Sequence, residues 1–364
     1  MNLYVHFPFC RAKCAYCALH SRAGSTSAAR RKYCARIAAE IAALNPCAFS
    51  TIYFGGGAPA LCDLAPVFGA IRERGLVSVE TEFTVELHPL DVCRDVLDTL
   101  KRGGVNRISL GVQSLDDDAL KSMGRLHTAS EAEDAFRAVR AAGFKNAGID
   151  LIAGWPGTTD ESWHTTLERA TALGLDHCSV YSLIREPKTR LDLAVRRGNV
   201  SLPSDDAALA QIDAACAVLA DAGLARYEIS NYARPGRECR HNLAVWRGED
   251  YVGIGEGAHG RVGLVRTESG VETKVAPEED AVERAIFALR TSEGLSLERV
   301  AHTWPILVPR IPAWRETLEF FKRQGLLLDA YRLTPRGTEV CDSILAELVG
   351  LPAGTMRRPD PRRR

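Results

Sequence analysis

Three cysteines stand close together near the start of the chain, in Cys10-Arg11-Ala12-Lys13-Cys14-Ala15-Tyr16-Cys17. Thiolates are soft ligands, and three at this spacing can fold round one small metal centre. Three chemistries compete for them. A structural zinc site wants a fourth ligand, which His6 or His20 would supply. A disulfide leaves one cysteine odd and suits a secreted chain. An iron–sulfur cluster held by three cysteines leaves one iron open for a further ligand. The spacing favours the cluster. Cys34, Cys47, Cys62, Cys93, Cys178, Cys216 and Cys341 lie singly in apolar stretches and read as reduced, buried packing residues.

A second pointed stretch is Gly55-Gly56-Gly57-Ala58-Pro59. Three glycines remove side chains, so a backbone can approach a ligand and offer N–H and C=O groups. It lacks the Gly-Lys-Ser/Thr of a P-loop and the spaced glycines of a dinucleotide fingerprint.

The elements that must position these residues follow a simple rhythm. Short β-like runs at 3–7, 51–54, 82–86, 107–110, 148–152 and 178–182 alternate with amphipathic segments at 27–44, 91–101, 130–142 and 160–173. Strand then helix, repeated six times, implies a parallel sheet with crossover helices, a partial (β/α)6 barrel of the TIM type. Each strand runs into a polar or glycine-rich segment, and the carboxyl ends of parallel strands are where such sheets place ligands. A helix is predicted over 205–222 and an alternating strand over 227–232, and 239–260 reads as irregular. After 276 the pattern becomes helix, β-hairpin wing and helix, an α+β winged-helix-like domain. The expected division is a core barrel over 1–225, a connecting segment over 226–275, the C-terminal domain over 276–350 and a basic tail over 351–364.

Composition narrows the function classes. Across 364 residues, 46 Lys and Arg balance 46 Asp and Glu, so the net charge is zero. Non-specific nucleic-acid binding wants a basic surface, which leaves no nucleic acid among the expected partners. The tail from Arg357, with five arginines against one aspartate, reads as a solvated end. No apolar run reaches membrane-spanning length, and the first residues lack the basic and apolar regions of a signal peptide. A cytoplasmic location is expected.

The cysteine spacing resembles that of the radical S-adenosylmethionine (SAM) enzymes. The resemblance narrows along Tyr4-Val5-His6-Phe7-Pro8-Phe9-Cys10, Gly111-Val112-Gln113-Ser114, Gly124-Arg125-Leu126-His127 and Asp150-Leu151-Ile152-Ala153-Gly154-Trp155-Pro156-Gly157. It continues through Tyr227-Glu228-Ile229-Ser230-Asn231-Tyr232, Cys239-Arg240-His241-Asn242 and Gly253-Ile254-Gly255-Glu256-Gly257-Ala258-His259-Gly260. Together these are similar to the oxygen-independent coproporphyrinogen III oxidase family, including its haem-chaperone branch. The resemblance implies a [4Fe–4S] cluster on Cys10, Cys14 and Cys17, with SAM on the open iron. An electron from the reduced cluster then breaks a carbon–sulfur bond of SAM, and the protein supplies placement and exclusion of water.

By position, Tyr4, Gly56 and Glu86 resemble the family's contacts to the cluster-bound SAM. Tyr16, Gly57, Ala58, Gln113, Arg125, Asp150 and Ile184 match positions that hold a second SAM in the decarboxylase branch, with Ala58 where threonine is usual. No catalytic residue is assigned by the resemblance. The decarboxylases carry a long extension before the cysteines, whereas nine residues precede Cys10 here. The chaperone branch carries His-Asn, two variable residues, then Tyr-Trp, and this chain has His241-Asn242-Leu243-Ala244-Val245-Trp246. The resemblance therefore implies a haem chaperone, with His241 and Trp246 as haem contacts and Val245 in the tyrosine position. Its implied partners are haem or another tetrapyrrole, an electron donor and a haem-acceptor protein. The alternatives are coproporphyrinogen III oxidative decarboxylation or radical chemistry on another tetrapyrrole.

Overall fold

Six strands run parallel in the order of the sequence: β1 (Asn2–Phe7), β2 (Thr51–Gly56), β3 (Glu82–Leu87), β4 (Arg107–Gln113), β5 (Ala147–Ala153) and β6 (His177–Ser182). They belong to a computed structural model that describes residues 1–351. All six expected strands are present. Alternate residues Val5, Phe54, Val85, Ile108 and Ile149 are fully buried and pack under the crossover helices. The residues between them, Tyr4, Tyr53, Glu86, Ser109 and Asp150, line the other face, and period-two alternation makes that face polar.

The crossover helices are α1 (Ser27–Ala42), α2 (Ala65–Glu73), α3 (Arg94–Arg102), α4 (Asp117–Met123), α5 (Ala129–Ala141), α6 (Asp160–Ala172), α7 (Arg190–Arg196) and α8 (Asp205–Asp221). In α1, Tyr33, Ile37 and Ile41 recur every four residues and face the sheet. Thr128 with Glu131 and Thr159 with Ser162 close capping boxes at the starts of α5 and α6, which fixes where each helix leaves its loop.

The segment 226–275 is part of the sheet and not a connection. Strand β7 (Asn231–Ala233) adds antiparallel to β6, and β8 (Tyr251–Ile254) adds parallel to β1 with Val5 opposite Ile254. A meander of β9 (His259–Val262), β10 (Val265–Glu268) and β11 (Val271–Lys274) extends that edge. Only part of 227–232 becomes a strand, because Glu228 turns away to bridge Thr291. The stretch expected to be irregular holds a helix, α9 (Arg240–Trp246), as well as β8.

Beyond α10 (Pro277–Ile286) a second apolar core forms round Trp314, which is fully buried and donates from Nε1 to the Leu348 carbonyl at 3.0 Å. The expected wing is reduced to one bridge, Leu327 with Leu333. The turn between them holds Ala330 and Tyr331 at positive φ, which shortens the ladder. No helix among the described residues is long and apolar enough to cross a membrane. The basic tail lies outside the described residues, Leu351 excepted.

Candidate cluster and cofactor site

The cysteine loop leaves β1 and is clamped at both ends. Phe9 and Cys10 pair with Arg22 and Ala23 as a short parallel ladder. Inside the loop, the Ala15 N–H donates to the Met123 carbonyl at 2.8 Å, and Leu191 N–H donates to the Ala15 carbonyl at 2.9 Å. Lys13 Nζ donates to the Leu19 carbonyl at 2.6 Å and Ser21 Oγ at 2.7 Å. Cys10, Cys14 and Cys17 are free, half-buried thiols on the wall of one cavity. Burial pushes the Cys10 thiol up, and its neighbours Cys17 and Cys14 add to the rise. Thiols so placed ionise together only when metal charge compensates them. Among the described residues no three His, Cys, Asp or Glu side chains close on a single ion in this arrangement. Three soft thiol donors from one loop, set on one cavity wall, are a donor set that fits an iron–sulfur cluster.

His6 is not available as a zinc ligand. Its Nε2–H donates to the His20 carbonyl at 2.8 Å, which leaves Nδ1 to accept from the Tyr4 hydroxyl at 2.9 Å. Tyr4 is thereby set apart from the cavity that the other expected SAM residues line. Of the scattered cysteines, Cys34, Cys62, Cys178 and Cys341 are buried as expected. Cys47 and Cys93 are exposed and Cys216 is half-buried, a correction: Cys47 lies in the loop after α1, Cys93 stands at the N-cap of α3, and Cys216 on α8 packs against the edge of the core.

The glycine strip closes on the chain itself. Gly56 has φ +103°, and a Cβ there would lie 2.4 Å from His6 Cε1. A Cβ on Gly57 would lie 2.5 Å from the Phe9 carbonyl oxygen and 3.0 Å from Cys10 Sγ. The Gly57 and Ala58 amides donate to the Phe7 and Phe9 carbonyls at 2.8 and 2.7 Å, and the Gly56 amide to Glu86 Oε2 at 3.0 Å. These glycines let the cysteine loop lie flat on β2, and their amides are already engaged.

The cavity encloses about 540 Å³, within the range that holds a SAM-sized molecule. Gly56, Gly57, Ala58, Glu86, Gln113, Arg125, Asp150 and Ile184 all line it, with Tyr16 beside the cysteines. Tyr16 packs edge-on against Trp155 at 5.9 Å. Glu86 Oε1 accepts from Tyr53 at 2.8 Å, and burial together with the nearby Asp150 pushes its carboxyl up to about 7. Burial raises Asp150 too, against hydrogen bonds from Ser179 and Ser109. A bulge at Gly111 and Gln113 holds Gln113 at φ +79°, a left-handed residue imposed by the turn into the cavity. Arg125 donates to the Gly111 carbonyl and to Cys14 Sγ. His88 is pushed down to about 2 and His127 to about 4, each by burial and then by the Arg125 charge.

Tyr181 and His88 also line the cavity and were missed from sequence, though the strand alternation through Tyr181 pointed there. Ile184 stands at the mouth with Leu19 and Leu126, all three exposed.

His241 and Trp246 lie elsewhere, on α9 at the amino ends of the strands. Glu82, the first residue of β3, accepts from the His241 and Arg240 amides, both at 3.1 Å. Where an irregular segment was expected the chain is helical, and His241 is 6% exposed, because α9 is held down by Glu82. Asn2 donates both amide hydrogens to Glu249 and the Asp250 carbonyl, so its Oδ1 takes the Thr51 hydroxyl hydrogen at 2.9 Å. Thr51 Oγ1 then accepts from His241 Nδ1–H at 2.8 Å, leaving the lone pair on Nε2. Burial, then the Arg107 charge, holds the ring neutral, with its pKa pushed down to about 3. Trp246 Nε1 donates to Glu228 at 3.0 Å. Val245 lines a separate cavity of about 480 Å³ with Tyr251, His259 and Phe287.

A model of the radical SAM superfamily matches residues 4–170. The heme chaperone HemW of Mycobacterium tuberculosis is 33% identical over 379 residues, 96% of this chain and 95% of its own. That of Escherichia coli K12 is 36% identical over 271 residues, 72% of this chain and 70% of its own. Coproporphyrinogen III oxidase (HemN) from E. coli, a radical SAM enzyme, superposes with a TM-score of 0.80 at 23% identity, over 95% of this chain and 89% of that one, and shows the same fold. With three cysteines on one cavity wall and likeness sustained along nearly its whole length, the chain belongs to the HemW family of radical SAM proteins.

Proposed function

We propose that this protein is a haem chaperone that carries a [4Fe–4S] cluster on Cys10, Cys14 and Cys17, binds SAM beside it, and passes haem to acceptor haemoproteins. The observation that supports it is likeness to the heme chaperone HemW over 96% of the chain. The cluster with SAM supplies reductive carbon–sulfur cleavage. This chain's residues have simpler tasks. Asp150 and Gln113 offer acceptors to SAM hydroxyl or ammonium groups, and Gln113 also a donor. Glu86 braces the glycine strip through Gly56. Leu19, Leu126 and Ile184 cover the mouth with apolar surface, which limits water there.

Haem is cargo in this reading. His241 offers a neutral imidazole whose Nδ1 is already bonded to Thr51, the arrangement in which the other nitrogen ligates iron. Because the ring is buried, ligation requires α9 to lift from the barrel end. Trp246 then supplies an aromatic face. The fold shared with HemN keeps oxidative decarboxylation of coproporphyrinogen III as the second reading.

The experiment is one comparison. Anaerobically reconstituted protein is titrated with haem, and separately incubated with SAM, reductant and coproporphyrinogen III. The expected result is stoichiometric haem binding with no protoporphyrinogen formed. The triple variant C10A/C14A/C17A should hold almost no iron and still bind haem. Robust decarboxylation overturns the chaperone reading, and stoichiometric zinc in place of iron overturns the cluster.

A further inference from the structure

Arg125 reaches the wall of thiols from the opposite side of the cavity. Its Nη1 stands 3.4 Å from Cys14 Sγ, within hydrogen-bond range for sulfur. The side chain is held there by two backbone features. Gly124 ends α4 at φ +75°, so the Arg125 N–H returns to the Leu120 carbonyl at 2.9 Å. Its Nη2 donates to the Gly111 carbonyl, which the bulge beside Gln113 turns toward it. A Cβ on Gly111 would meet Gln113 Nε2 at 3.1 Å, whereas its 3.8 Å from Arg125 Nη2 is ordinary contact.

Among the described residues no carboxylate pairs directly with Arg125, although Asp91 and Asp150 lie near enough to feel its charge. Of the nearby carboxylates, Asp91 is paired with Arg11 at 2.5 Å and Asp150 is bonded to Ser109 at 3.1 Å. Beside Arg125 stand His88 and His127, their rings 5.0 Å apart, which bring no negative charge. A partly buried guanidinium aimed at a sulfur ligand needs an anion there, and a cluster held by three thiolates is one.

We infer that Arg125 is a positioning residue that sets the reduction potential of the cluster by donating a charged hydrogen bond to the Cys14 sulfur. This rests on the assignment of the cluster to Cys10, Cys14 and Cys17. Hydrogen bonds to ligand sulfur and neighbouring positive charge stabilise the reduced, more negative cluster over the oxidised one. The guanidinium therefore raises the potential and eases the arrival of the electron. Arg125 Nε is buried and without a protein partner.

The test is a redox titration, followed by visible absorption and electron paramagnetic resonance, of reconstituted wild type, R125Q and R125K without substrate. R125Q loses the charge and should shift the oxidised-to-reduced ratio at fixed potential roughly tenfold toward oxidised, about 59 mV for a one-electron couple. R125K keeps the charge and should lie between R125Q and wild type. Equal potentials in all three, at equal iron content, overturn the inference. So does loss of the cluster in both variants while circular dichroism shows the fold intact, since that makes Arg125 an assembly residue. Absence of a cluster from wild type would instead fail the assignment of the cysteines.

Discussion

Gly56 lies under the His6 ring so closely that a Cβ on it would sit 2.4 Å from His6 Cε1. Gly56 ends β2 opposite Phe7, one residue beyond His6 in β1, and His6 in turn donates to the His20 carbonyl at the far end of the cysteine loop. The glycine strip and the loop are therefore one packing unit.

Gly56→Ala should cost roughly 3 kcal/mol, from a left-handed backbone and an overpacked ring together. Urea denaturation of the apo-protein measures it. The double variant G56A/H6A should recover part of the loss relative to the sum of the single changes, since the clash is between these two groups. Strict additivity would place the cost of Gly56→Ala elsewhere.

Glu86 makes stability depend on pH in a defined direction. Its folded pKa of about 7 is above the ordinary glutamate value, so the folded state binds more protons than the unfolded state between about pH 4.5 and 7. Stability should fall as pH rises through that window. Glu86→Gln should remove that part of the slope, on the order of 2 kcal/mol between pH 5 and 8 after allowance for its partial exposure to the cavity. Parallel stability curves for wild type and variant across that range would contradict the assignment.

Thr51→Val should strand two buried groups, His241 Nδ1–H and Asn2 Oδ1, at a cost of about 2 kcal/mol. The same variant tests His241 as a haem ligand. With its Nδ1 partner gone, the haem absorption spectrum should move, and His241→Ala should move it further. A haem spectrum unaltered by His241→Ala removes this residue from the haem site.

Asp280 sits between two arginines, Arg261 at 2.6 Å and Arg284 at 2.7 Å, with all three side chains buried. Asp280→Ala leaves Arg284 with Asp250 and Arg261 with Glu283 as their remaining acidic partners, and should cost about 3 kcal/mol. Because this triad joins α10 to the β9 meander, thermal denaturation should show the C-terminal core round Trp314 melting first. A single unshifted transition would show that the triad adds nothing to the join.

The strand–helix rhythm was readable because each strand alternates apolar and polar residues over a short span, and each helix repeats its apolar positions. The three cysteines were readable because their ligand spacing is local. The likeness that identifies the family was equally local, carried in short runs such as Gly111-Val112-Gln113-Ser114. The individual residues of the cavity were legible only through the family resemblance, while the strand pattern alone showed that parallel strands deliver their carboxyl-end residues to one rim.

What the sequence could not decide depends on contacts between distant segments. Val5 meets Ile254 and Phe54 at once, so 226–275 belongs to the sheet, a pairing no local pattern announces. Glycines at 56 and 57 looked like an opening for a ligand, yet His6 and the Phe9 carbonyl occupy that space. Arg125 was expected at a second SAM, and the bulge at Gly111 and Gln113 holds it toward the sulfur of Cys14, 111 positions away in the chain. His241 sat in a loop-like, polar stretch, and only Glu82 capping α9 drew its ring into the barrel. Composition and periodicity set which faces are apolar, whereas the partner of each polar group is chosen by tertiary packing, because buried donors and acceptors must find one another across the fold.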